Sequence, residues 1–169
     1  MMVANIKDAV RAAEQVIRQA GLAYPPIDPE KIAEDLGVRV LYADFGVHSD
    51  TVSGFIDFSE AESIRIFVNR GIHPNRKTFT IAHELGHFVM HKDWARGAEY
   101  VMLRANEYAP GTKPDKETEA DVFAANLLVP ESMLREYMDL ASPRKLAEIF
   151  VVSEQVIANR LKLIGRAYA

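Results

Sequence analysis

Three residues carry chemistry by type and spacing. His83, Glu84 and His87 stand in the order His-Glu-x-x-His. On a helix, positions four apart lie on one face, one turn up. Two imidazoles placed so can close on one zinc ion, each nitrogen about 2.0–2.1 Å from the metal. Glu84 directly follows the first histidine, so its carboxylate can take a proton from a water at the metal and pass it to a leaving amine. The pattern is that of a zinc-dependent hydrolase. Ile81, Leu85, Phe88 and Val89 recur beside it at helical spacing and give the helix an apolar flank.

The surrounding elements must position that helix. Arg76 to about His91 reads as helical, capped by Asn75 after a turn at Gly71-Ile72-His73-Pro74. Upstream, residues 5–20 form an amphipathic pattern that Gly21 can end, and Asp28-Pro29-Glu30 starts a helix that runs to Leu36. Val38–Tyr42 reads as a strand and Gly46–Ser53 as a loop. Gly54–Phe58 and Ser63–Asn69 read as two strands joined by Ser59-Glu60-Ala61-Glu62. Residues 92–114 hold Trp94, Tyr100, Pro110 and Gly111 and form a long connection of the kind used for binding loops. Helices follow over Asp115–Leu128 and Glu131–Asp139. Two more follow after Ser142-Pro143 and after the cap Ser153.

The expected architecture is α+β. A small antiparallel or mixed sheet packs on the His-Glu-x-x-His helix and a second ligand helix, with helix-turn-helix-like helices at the C-terminus. Residues 1–140 are expected to form the core and residues 141–169 a helical segment packed on it. The chain has 169 residues, 49% of them apolar, which suits one compact core. The net charge of −4 argues against coating nucleic acid by bulk electrostatics. There is no cysteine, so no disulfide framework exists and any zinc must be held by histidine and carboxylate. The first residues lack a signal-peptide pattern and no apolar run reaches membrane-spanning length, so a cytoplasmic location is expected.

Three stretches resemble the ImmA/IrrE family of metallopeptidases. They are Phe79–His87 followed by His91, then Glu117–Pro130, and Leu146–Ser153 continuing through Arg160–Gly165. The second departs from the family's E-A-N-x-F-A-x-x-L-L-M-P by Asp121 for Asn and Val129 for Met. The resemblance implies a minimal gluzincin-like fold and a Zn2+ held by His83, His87 and a glutamate of the next helix, with Glu84 as base. It also implies a protein substrate, a helix-turn-helix transcriptional repressor, whose cleavage derepresses mobile-element or stress-response genes.

Three carboxylates of the second helix compete as third ligand: Glu117, Glu119 and Asp121. Glu119 shares its stripe with Phe123, Asn126 and Leu127, which points it inward and favours it. Asp121 then serves as acceptor for a ligand histidine N–H. His91 lies roughly 12 Å along the helix axis from His83 and cannot share its metal. His73, Tyr100, Tyr108 and Arg104 are candidates to stabilise the transition state. Gluzincins lay substrate along an edge strand, and Ile64, Arg65, Ile66 and Phe67 are the candidates for it. Phe67 is also a candidate for lining a substrate groove, whereas Phe55 and Trp94 are expected to pack in the core.

The C-terminal helices have helix-turn-helix spacing and carry Arg144, Lys145, Arg160, Lys162 and Arg166. A DNA-binding or regulatory module with a non-catalytic metal site is therefore the alternative reading. The acidic whole makes nucleic acid the less favoured partner.

Overall fold

The computed structural model describes residues 3–97, 100 and 111–167, the side chains of 166 and 167 excepted. Helix α1 (Ile6–Ala20) is capped by the Asn5 side chain, which accepts from the Asp8 N–H, and closes at Gly21 in the left-handed region, φ 65°. Helix α2 (Pro29–Asp35) starts at Asp28, whose carboxylate accepts from the N–H groups of Glu30 and Lys31. Strands β1 (Arg39–Ala43), β2 (Gly54–Asp57) and β3 (Arg65–Asn69) form a three-stranded sheet among the described residues.

The strand order is β1-β3-β2, with β3 parallel to β1 and antiparallel to β2. This corrects the expected substrate strand. Arg65, Ile66 and Phe67 lie in the central strand, and Ile64 directly precedes it. A strand paired on both sides has no free N–H and C=O row to offer a peptide. Among the described residues the free edges are β1 and β2. Ile66 and Val68 are buried, while Phe67 stacks on Phe55 with ring centroids 5.1 Å apart.

Helix α3 (Pro74–Met90) carries the His-Glu-x-x-His sequence and packs against β2 and β3. Its cap is the His73 ring, whose Nδ1 accepts from the Asn75 N–H, rather than Asn75 itself. The Asn75 side chain instead donates to the Val152 carbonyl. The short α4 (Lys92–Ala95) follows. Helix α5 (Asp115–Leu128) lies against both α1 and α3, so it is buried on two sides.

Helix α6 (Glu131–Tyr137) leads to α7 (Pro143–Phe150), capped by Ser142, and α8 (Glu154–Ala167). Between them Val151 takes the left-handed conformation at φ 55°, a strained one for a β-branched residue. Arg160 of α8 is buried and donates from Nε to the Val129 carbonyl at the end of α5. No helix among the described residues is long and apolar enough to cross a membrane.

Candidate metal centre

Helix α3 presents His83 and His87 one turn apart toward the first turns of α5. Close approach of the two helices depends on Gly86. A Cβ there would stand 3.0 Å from a Phe123 ring carbon and 3.4 Å from the Ala120 Cα. The absent side chain lets α5 bring a carboxylate of its first turn to the histidines.

That carboxylate is Glu117. Its Oε2 lies 3.1 Å from His83 Nε2 and its Oε1 3.1 Å from His87 Nε2, while the two Nε2 atoms are 3.2 Å apart. Two ligand atoms on a tetrahedral ion with bonds of about 2.0–2.1 Å stand about 3.3 Å apart. The two imidazole nitrogens stand at about that spacing, and the three side chains can each offer one ligand atom within 4.8 Å of the others. The donor set fits zinc: two imidazoles and one carboxylate, with the fourth position left open.

Glu119, the expected third ligand, is placed elsewhere. Its Oε2 faces His91 Nε2 at 2.6 Å and Lys116 Nζ at 3.3 Å, and its Oε1 accepts from the Asn5 N–H at 2.8 Å. Helix α5 has two covered sides, and α1 lies over the one that carries Glu119, so Glu119 is buried without pointing at His83 and His87. The signal that identifies Glu117 is its spacing. Glu117 and Asp121 are four apart, like His83 and His87, so both carboxylates can meet the histidine pair.

The far sides of both histidine rings are tied down. His83 Nδ1 donates to Asp121 Oδ1 at 2.8 Å, and Asp121 also pairs with Lys113. His87 Nδ1 stands 3.0 Å from His91 Nδ1. Trp94 covers the His87 ring, centroids 5.2 Å apart.

Burial opposes the charged form of His83, but hydrogen bonds to Asp121 and Glu117 win and raise its pKa to about 10. For Glu117, burial pushes upward, and the hydrogen bonds and charge of His83 and His87 override it to hold the carboxyl far below its ordinary range. His91 falls to about 4, chiefly by burial and the neighbouring His87, against the pull of Glu119.

The base candidate Glu84 is buried, and its Oε2 accepts from the Tyr100 O–H at 2.8 Å. The same Tyr100 oxygen accepts from the Ile56 N–H at 2.7 Å. That amide therefore points away from β3, and the free edge of β2 faces the Glu84 side of the centre. Burial first, then the Glu84 charge, push the Tyr100 hydroxyl well above its ordinary pKa. A groove of about 230 Å³ runs here, lined by Ile56, Asp57, Phe58, Ser59, Arg96 and Tyr100.

His73 is not part of the centre. It starts α3, roughly 15 Å of helix axis before His83, and with Phe79, Val152 and Val156 lines a separate depression. Tyr108 and Arg104 lie outside the described residues.

The family described as the IrrE N-terminal-like domain, Peptidase_M78, matches residues 33–162. The chain belongs to this family. A curated member of similar sequence is the radiation response metalloprotease IrrE of Deinococcus radiodurans, 26% identical over 151 residues. That match covers 84% of this chain and 42% of the relative, so the chain spans less than half the relative's length. Among solved structures, a Mycobacterium tuberculosis transcriptional regulator superposes with a TM-score of 0.61 at 20% identity. It covers 92% of this chain and 46% of the other, a likeness of fold. The matched family segment includes both the His-Glu-x-x-His helix and Glu117.

Proposed function

We propose that this chain is a zinc-dependent metallopeptidase that cleaves a protein substrate, a helix-turn-helix transcriptional repressor. The observation that carries the reading is the grouping of His83, His87 and Glu117: the two Nε2 atoms stand 3.2 Å apart, and each faces one oxygen of the Glu117 carboxylate at 3.1 Å. Family membership supports the peptidase class. The repressor follows from the family resemblance.

His83, His87 and Glu117 would hold the zinc, and Asp121 would orient His83. Bound there, zinc would polarise the scissile carbonyl and acidify water at neutral pH. Glu84 would take the proton of the attacking water on a carboxylate oxygen and deliver it to the leaving nitrogen. Tyr100 sits between Glu84 and the β2 edge, so its O–H can turn toward an oxyanion developing on substrate. The substrate backbone would lie along the free edge of β2, in the groove by Ile56, adding a strand to the sheet.

The alternative, a DNA-binding module, gains no support from α8. Arg160 is spent inside the protein on the Val129 carbonyl, and Lys145 of α7 pairs with Glu148 at 2.8 Å. The test of the proposal is incubation of the zinc-loaded protein with purified helix-turn-helix repressors, products being read by mass spectrometry. One discrete cut, abolished by a chelator and restored by zinc, is expected. Tight operator-specific duplex binding without any cleavage would favour the alternative.

A further inference from the structure

Beyond the ligands, α3 and α5 hold a second buried histidine–carboxylate pair, His91 with Glu119. We propose that Glu119 and His91 form a one-way hydrogen-bond relay that fixes a proton of His87 on Nδ1, so that Nε2 is the nitrogen it turns to a metal. The proposal rests on reading His83, His87 and Glu117 as metal ligands.

Hydrogen-bond chemistry sets the direction. An ionised carboxylate is acceptor-only, whereas each ring nitrogen of a neutral imidazole is either donor or acceptor. Glu119 Oε2 lies 2.6 Å from His91 Nε2, so that nitrogen carries the hydrogen. His91 Nδ1 is then the acceptor. Its partner is His87 Nδ1 at 3.0 Å, and a contact between two ring nitrogens holds one hydrogen. That hydrogen must belong to His87. With a hydrogen on Nδ1, Nε2 is the His87 nitrogen that faces the centre, 3.1 Å from Glu117 Oε1 and 3.2 Å from His83 Nε2.

Glu119 is itself held in place. Its Oε1 accepts from the backbone N–H of Asn5 at 2.8 Å, and Lys116 reaches its Oε2 at 3.3 Å. The start of α1 therefore anchors the far end of the relay. His87, His91 and Glu119 are all buried, so water does not readily replace a lost partner. Glu119 is a positioning residue here, acting on the centre through two rings.

Glu119→Gln tests the direction. The Asn5 N–H is fixed in the backbone and keeps the amide oxygen, while half-exposed Lys116 can swing into solvent. The amide NH2 then faces His91 Nε2, making that nitrogen the acceptor and Nδ1 the donor. Two donors would meet between His91 and His87 whenever His87 bound a metal through Nε2.

The experiment is nitrogen-15 NMR of the histidine rings in metal-free full-length protein, with zinc affinity by competition titration. In the wild type, His91 should be protonated on Nε2 and bare on Nδ1, with His87 protonated on Nδ1. In Glu119→Gln, His91 should move to the Nδ1–H form and the zinc Kd should rise about 10–100-fold. Should that variant not fold, Glu119→Leu serves, with His91 again leaving the Nε2–H form. A wild-type His91 protonated on Nδ1, or a folded variant with unchanged tautomer and unchanged zinc Kd, overturns the relay. The metal-free spectrum decides the relay, and zinc binding by the wild type decides the functional reading, so the two fail separately.

Discussion

Glu117 and Glu119, two positions apart on α5, face different histidines, Glu117 the pair within α3 and Glu119 the His91 that caps its end. Glu117 stands 3.1 Å from the Nε2 atoms of His83 and His87, whereas Glu119 stands 2.6 Å from Nε2 of His91. Adjacent stripes of one helix thus serve two roles, one carboxylate meeting the His83–His87 pair and the other gripping the residue behind it. The arrangement is available because α5 is covered by α3 on one side and α1 on the other.

Glu84→Gln should retain the fold and the zinc, since the amide is nearly isosteric and Glu84 is not one of the three grouped ligands. It should lose the proton acceptor, lowering kcat/KM at least about 10²–10⁴-fold. The check is kcat/KM on a cleaved substrate alongside a thermal melt. A folded, zinc-loaded variant with wild-type rate contradicts the role given to Glu84.

The pH dependence follows from His83, whose pKa rises from 6.5 to about 10 in the metal-free fold. A raised folded-state value means its contribution is fully present below pH 6.5 and is lost as pH rises through about 10. The metal-free protein should therefore melt at progressively lower temperature above neutrality. Zinc needs the same Nε2 bare, so binding displaces its proton and affinity should rise by up to about tenfold per pH unit across that window. Titration calorimetry in buffers of different ionisation enthalpy counts the proton released. Affinity that is flat with pH would show that His83 is not held as an imidazolium.

Gly86→Leu should both destabilise the fold and weaken the metal site. The new side chain meets the Phe123 ring and the Ala120 backbone, and overpacking of this kind costs about 1–3 kcal/mol. Forcing α3 from α5 also withdraws Glu117 from the histidines. Urea unfolding gives the first effect and zinc titration the second. Unchanged zinc affinity in a destabilised variant would mean that the close contact serves packing alone.

How far the sequence could be read depends on which forces are local. The histidine spacing, the caps at Asp28, Ser142 and Ser153, and the hairpin of β2 and β3 follow from neighbours along the chain, and each is present in the fold. The partner of β3 on its other side is β1, with Arg39 opposite Arg65 far away in sequence. No periodicity within residues 63–69 reports that pairing, so the sequence alone does not tell this central strand from an edge. Glu119 misled for a related reason: a stripe pattern identifies a buried face, not the helix that buries it. His73, one of several candidates for transition-state contact, has its ring nitrogen capping the helix, a role that ring and carboxylate acceptors share.

The central claim is that His83, His87 and Glu117 are the protein's metal ligands. The most direct measurement is zinc content by mass spectrometry, with zinc Kd by competition titration, for the wild type, Glu117→Gln and Glu119→Gln. The account predicts one tightly held zinc per wild-type chain, its loss in Glu117→Gln, and a retained but weakened zinc in Glu119→Gln. No zinc in the wild type, or a Glu117→Gln variant that binds it as tightly as the wild type, would contradict it.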